Sequence, residues 1–260
     1  MTSGETVRAL LGGRRILLPA LKAASLPRAA GTQTLWSGSE MLIRRLTLIG
    51  LLLLPTASAA GQERNINYQL LVATREGKTA TVRMLLDGGA EPDSRDRNGD
   101  TPLNHVARRG DLELARLLLE RGASPDLPNL AGVTPLMSAA YAGHDAMLRL
   151  LLERGAATEP RDRLDKTAMV YAAGTGHPHC VRALLDRGVD VNARYRHQIT
   201  ALMWAAGSGS VATVEVLLQR GADPAARNDR GKTALAVAED QGHGEIARLL
   251  RTECEREGGC

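Results

Sequence analysis

Phenylalanine is absent from this 260-residue chain, and aromatic residues of all kinds make up only 2% of it. The interior must therefore be filled by Leu, Ala, Val and Met, and a core resting on large stacked rings is excluded. Cysteine is nearly as scarce. Three cysteines without a C-x-x-C pair exclude a disulfide-dense scaffold and a zinc ribbon. A nucleophile elbow, a phosphate-cradling glycine loop after a strand, and a pair of catalytic acids are also missing. The remaining composition, 43% hydrophobic and 24% charged, excludes a disordered or collagen-like chain.

Positive charge is lacking too, once it is located. The formal net charge is +4, but residues 1–60 carry seven basic groups against Glu5 and Glu40. The other 200 residues hold 26 basic and 27 acidic groups, so the basicity belongs to the leader and nucleic acid is not an expected partner.

Long apolar runs are confined to that leader. From Met41 the chain reads MLIRR, LTLIGLLLLP, TASAA and then the polar GQERN. Arg44 and Arg45 form a positive start, Leu46 to Leu54 an apolar stretch, and Ala57-Ser58-Ala59 a small-residue cleavage site, with Ser58-Ala59-Ala60 as the alternative. The stretch falls short of the roughly 20 residues a membrane span needs. Residues 41–60 are therefore read as a secretory signal peptide, which implies a periplasmic or secreted protein. An uncleaved anchor and a leader without function, leaving the protein cytoplasmic, are the alternatives. Residues 1–40 show neither a 3.6 nor a 2.0 period. They are read as an unstructured extension upstream of a true start at Met41, with a long n-region from Met1 as the alternative. No fold is expected before about residue 62.

Glycine, by contrast, is abundant at 27 residues, and it recurs at fixed places. TPLNHVA at 101–107 is followed by TPLMSAA, TAMVYAA, TALMWAA and TALAVAE, so Thr101, Thr134, Thr167, Thr200 and Thr233 are each 33 residues apart. Two glycine registers keep the same period: Gly77, Gly110, Gly143, Gly176, Gly209 and Gly242, and Gly89, Gly122, Gly155, Gly188 and Gly221. Three registers holding one period without an insertion specify a repeat array.

Each unit reads physically. The Thr is a helix N-cap, and Pro102 or Pro135 follows at the first helical position, where its missing N–H costs nothing. An Ala-rich first helix ends at a Gly of the Gly110 type, where a left-handed backbone is cheap. The second helix carries apolar pairs such as Leu114, Ala115, Leu118 and Leu119 along one stripe. Gly122 closes it, and a polar stretch turns the chain into the next unit.

This unit resembles the ankyrin repeat, which has the 33-residue length and a T-P-L-H-x-A signature. The resemblance implies an all-α solenoid of helix–turn–helix units with projecting hairpin loops. Five full units (98–130, 131–163, 164–196, 197–229 and 230–252) follow an N-terminal capping unit at 67–97, within a domain spanning 62–252, and 253–260 forms a polar tail. The usual His of the signature is replaced by Asn104, Met137, Val170, Met203 and Ala236. A polar contact bracing neighbouring loops is therefore expected to be lost, with Met packing in its place. Arg251 stands where earlier units place Leu119, Leu152, Leu185 and Leu218, which marks a C-terminal cap.

Little catalytic or metal chemistry emerges. In His177-Pro178-His179-Cys180, His177 shares its repeat position with His144 and His243, and Cys180 takes the slot of Leu114 and Met147, so the string is scaffold. Gly174-Thr175-Gly176 and Gly207-Ser208-Gly209 fall between helices and are not dinucleotide loops. Cys254 and Cys260 are placed to pair with each other in an oxidising compartment. The expectation is a non-enzymatic monomer with no cofactor and no metal, binding a protein partner as a scaffold or inhibitor. A cytoplasmic adaptor, or an accessory subunit regulating a partner enzyme, is the alternative.

The resemblance places such binding on a concave strip of loops and first helices. His105, Ser138, Tyr171 and Trp204 occupy equivalent first-helix positions there, either exposed or half-buried between units. In the loop at 193–199, Tyr195 replaces the expected Asp and Gln198 the turn Gly, with Arg194, Arg196 and His197 around them. The candidate partner-binding residues are Tyr141, Tyr171, Arg194, Tyr195, Arg196, His197 and Trp204. Tyr195 is expected at an exposed loop tip, as a binding hot spot.

Overall fold

The computed structural model describes residues 10–11, 14–15 and 56–256, with side chains from Ile66 onward. The chain divides into two compact units, Met1–Leu54 and Pro55–Cys260. In the first, strands β1 (Leu10–Leu11) and β2 (Arg14–Arg15) pair antiparallel, Leu10 opposite Arg15 and Leu11 opposite Arg14. Gly12 and Gly13 lie between them in sequence, residues that tight hairpin turns favour. This pair, and a helix that starts at Thr56, correct the expectation of no fold before residue 62. Good helix formers in the run after Ser58 (Ala, Gln, Glu and Arg) account for the early start. Most of the segment expected to be a signal peptide, residues 41–55, lies outside the described residues, as do Cys260 and the end of the tail.

The second unit is a stack of helix pairs: α1 (Thr56–Glu76) with α2 (Thr79–Asp87), α3 (Pro102–Arg109) with α4 (Leu112–Glu120), and α5 (Pro135–Ala142) with α6 (Asp145–Glu153). Then come α7 (Ala168–Gly174) with α8 (Pro178–Asp186), α9 (Ala201–Ser208) with α10 (Val211–Gln219), and α11 (Ala234–Asp240) with α12 (Gly244–Arg256). First helices pack on first helices and second on second.

Local chemistry sets each pair. All five period-33 threonines are extended N-caps whose hydroxyl accepts the N–H three residues on, at 3.2–3.4 Å. Each such cap contributes about 1 kcal/mol. First helices approach closely because Ala139, Ala140, Ala172, Ala173, Ala205 and Ala206 are all fully buried. Gly143 has φ 71°, and a Cβ there would meet the His177 ring at 2.5 Å. The ring is there because His177 Nε2 hydrogen-bonds the Tyr141 carbonyl at 3.2 Å, as His144 does to Arg108 and His243 to Gly207. These histidines brace one unit against the preceding one, which is the scaffold role expected of His177.

The structure differs from expectation in two places, although not at Arg251. Arg251 is exposed and pairs with Glu239, as a terminal face requires. Yet α12 runs to Arg256 and buries Cys254, so the helical domain extends past 252 and takes in the start of the expected polar tail. Cys254 is disulfide-bonded, whereas Cys180 is a free thiol in the core, where burial pushes its pKa up to about 12. The second expectation to change concerns Asn104. Its Nδ2 donates to the Leu127 carbonyl at 3.1 Å, so a bracing polar contact survives there, while Met137, Val170 and Met203 do fill the core.

Candidate functional site

The loops between units are built on one recurrent device. Asp96 Oδ1 accepts the N–H groups of Asn98 and Asp100, and Asn129, Asp162 and Asn228, at the same position of other units, do likewise. Such side chains stand in for a backbone turn. The second oxygen of each carboxylate then faces the first helix that follows the loop: Asp96 Oδ2 lies 2.9 Å from His105 Nε2, and Asp162 Oδ2 accepts the Tyr171 hydroxyl at 2.5 Å. Burial, together with the Asp162 carboxylate, drives the Tyr171 phenol well above its ordinary pKa. Asp96 is lowered although burial opposes this, because the N–H groups of Asn98 and Asp100, the His105 ring and the Arg75 guanidinium all favour its charged form.

Tyr195 breaks the series. It has no side-chain oxygen to hold the turn, and Arg196–Gln198 form a short 3-10 turn, although the Gln198 N–H still donates to the Tyr195 carbonyl at 2.9 Å as Gly99 does to Asp96. His197 and Gln198 both adopt positive φ, 61° and 56°, where neighbouring loops use a single Gly or Asp165. The expectation of an exposed Tyr195 is wrong. Its side chain turns inward to 7% exposure, the Arg161 guanidinium lies 5.8 Å from the ring centre, and burial raises the phenol pKa. A ring freed from hydrogen-bonding the turn gains more by burial than an exposed tip allows.

The same substitution opens the loop layer. Successive tips are tied by backbone bonds from Leu130 to Asn98, from Arg163 to Ala131 and from Asp229 to His197. Among the described residues the corresponding bond from Arg196 to Leu164 is missing. At that step lies a hollow of about 260 Å³, lined by Lys166, Tyr195, Arg196, His197 and Trp204 among others. A second hollow of about 290 Å³ lies on the other side of Trp204, towards Val237, and a third of about 220 Å³ between Met137, Tyr141 and Tyr171.

The strip therefore brings together most of the residues singled out in the sequence. Tyr141 is 58% exposed and meets Tyr171 edge to face, ring centres 5.7 Å apart. Tyr171 and Trp204 are half-buried, and Ser138 is buried. Arg196 and His197 are exposed at the mouth of the 260 Å³ hollow, with His197 Nδ1 3.5 Å from Asp229. Arg194 stands apart, donating to the Arg227 carbonyl at 3.1 Å, just as Arg95 braces the Pro128 carbonyl. The residue that sequence reasoning missed is Lys166. Its ammonium lies 5.4 Å from the Tyr171 ring centre and 5.2 Å from that of Trp204, within cation–π range of both. A lysine just before an N-cap Thr, five residues ahead of the aromatic position, was the available signal.

One group of metal-type side chains occurs among the described residues, Asp96, Asp100 and His105, with ligand atoms within 4.8 Å of one another. Arg75 and Arg108 pair with its two carboxylates and neutralise the charge a cation would need. None of the described helices is long and apolar enough to cross a membrane.

A family model for ankyrin repeats in three copies matches residues 70–162, 121–195, 156–228 and 196–257. The chain belongs to the ankyrin-repeat family. Ankyrin repeats are generally protein–protein interaction modules and are typically non-catalytic. No curated protein matches this one.

Proposed function

We propose that this ankyrin-repeat protein is an exported, non-enzymatic binding module that docks a protein partner on the strip formed by Tyr141, Tyr171, Lys166 and Trp204. The observation that carries this reading is the unbroken aromatic–cation run across three units, in a chain with only six aromatics. Rigid rings beside a cation give contact area at little entropic cost, which is the composition of binding hot spots. The hollows on either side of Trp204 and beside Tyr141 are shallow recesses that suit side chains of a partner better than a buried small substrate. Export is supported by the leader at 41–60 and by the disulfide at Cys254, since such bonds persist in oxidising compartments. Its role is that of a scaffold or inhibitor of the bound protein.

Hydrogen exchange on the protein purified with its partner from the native host tests the surface. Protection is expected at residues 162–171 and 195–204, and protection confined to the second helices overturns the reading. N-terminal sequencing of the same material tests export: a chain beginning at Ala60 or Gly61 supports it, and one beginning at Met1 or Met41 contradicts it.

A further inference from the structure

Lys166 is set apart among the cations of this surface by lying over two aromatic rings. Arg75, Arg108, Arg161 and Lys232 each have a carboxylate within ion-pair distance, whereas among the described residues neither Lys166 nor Arg196 has one. Asp165, the carboxylate nearest in sequence, is held by Arg161 at 2.9 Å. A lysine ammonium carries three donors and no acceptor, and two ring faces do not satisfy them as an anion does. Both unpaired cations line the one hollow where the loop ladder is interrupted. At about 260 Å³ it is far larger than the roughly 30 Å³ share of a water.

The loop device explains what is missing. In two of the units a loop carboxylate accepts a proton donor from the first helix, His105 or Tyr171. In the loop ahead of the Trp204 helix the position holds Tyr195, and the indole Nε1 is buried without a hydrogen-bond partner. The hollow's own carboxylate, Asp165, is engaged by Arg161, so Lys166 and Arg196 face the hollow without an ion-pair partner.

Spacing identifies the form of the occupant. First helices of adjacent units pack about 8–10 Å apart. An extended peptide in polyproline II conformation rises about 3.1 Å per residue with three residues per turn, so every third side chain faces the strip and meets a new unit. The hollows beside Tyr141 and beyond Trp204 flank the central one on either side, and Met137 and Val237 supply apolar walls there.

We infer that the strip recognises an extended acidic segment of a partner protein, whose Asp or Glu carboxylate enters the central hollow to pair with Lys166 and Arg196 while apolar side chains three residues before and after it fill the flanking hollows. The inference rests on the docking reading above and adds the chemistry of the partner.

The test is selection of phage-displayed random heptapeptides on the full chain, followed by calorimetry with the enriched peptides. Glu or Asp is expected at the centre with apolar residues at the first and last positions. Changing that Glu to Gln in the peptide should weaken binding at least about tenfold, a result that does not depend on any protein variant. Lys166→Gln should weaken the acidic peptide similarly, and selection on Lys166→Glu should enrich Lys or Arg at the centre. Melting curves confirm that both variants are folded. Enriched peptides without an acidic residue, or acidic peptides indifferent to Lys166→Gln, overturn the inference. If those peptides still lose affinity on Tyr141→Ala, docking on the strip stands, and if they do not, both readings fall. A selection that enriches nothing overturns recognition of an extended segment.

Discussion

The Asp162 carboxylate accepts the Tyr171 hydroxyl while its other oxygen closes the loop that precedes the same helix. One side chain thus fixes both the turn and the aromatic ring above it. Tyr171→Phe keeps the ring for Tyr141 and Lys166 but removes this bond. It is expected to lower stability by about 1 kcal/mol in urea titration. In an alkaline absorbance titration of the wild type, Tyr171 is expected to ionise above the ordinary tyrosine range, because burial and Asp162 both oppose its phenolate.

At the next loop the relationship is reversed, and substitutions separate backbone from ring. Tyr195→Ala removes a buried ring and is expected to cost about 3 kcal/mol by denaturant unfolding. Gln198→Gly relieves a non-glycine residue at φ 56° and is expected to stabilise by up to about 1 kcal/mol. A neutral Tyr195→Ala would mean the ring is at the surface after all.

Acid should weaken the fold at two points. His105 has its pKa lowered below 6.5, chiefly by burial, with the Arg75 charge adding to it and Asp96 opposing. The unfolded chain then takes up this proton first as pH falls, so stability drops below about pH 6.5. Asp96, lowered below 3.8, contributes stability above that value and loses it as pH falls further. The melting temperature should fall between pH 7 and 5 and again below 4. His105→Gln should flatten only the first step. An unchanged slope in that variant contradicts the assignment.

Two glycines with left-handed backbone should respond differently to alanine. Gly155 has φ 84° and open space around a Cβ, so Gly155→Ala carries only the backbone penalty of about 1 kcal/mol. Gly143→Ala adds a clash with the His177 ring and disturbs its bond to Tyr141, so it should cost about 2 kcal/mol or more. Equal losses in thermal unfolding would remove His177 from the inter-unit brace.

Much of the fold was legible because its determinants are local. A Thr that caps, a Pro that follows it and a Gly that must turn left each act within a few residues, so their period alone located the units. Lys166 was not legible, since its two rings come from different units and only stacking brings them together. Tyr195 was read as exposed from its loop position. Its burial depends on Arg161 in the preceding unit and on the loss of a turn-forming carboxylate, neither of which periodicity reports. The role of Arg194 was within reach, because Arg95, Arg161 and Arg227 hold the same repeat position, a mark of scaffold.

The most direct measurement is the dissociation constant of the native partner for Tyr141→Ala beside Arg182→Ala. Tyr141 is 58% exposed on the strip, and Arg182 is exposed on the second-helix layer, so neither change should disturb the fold. Tyr141→Ala is expected to weaken binding at least about tenfold with Arg182→Ala unchanged. Equal affinities for the two variants, or a loss confined to Arg182→Ala, would contradict docking on this strip.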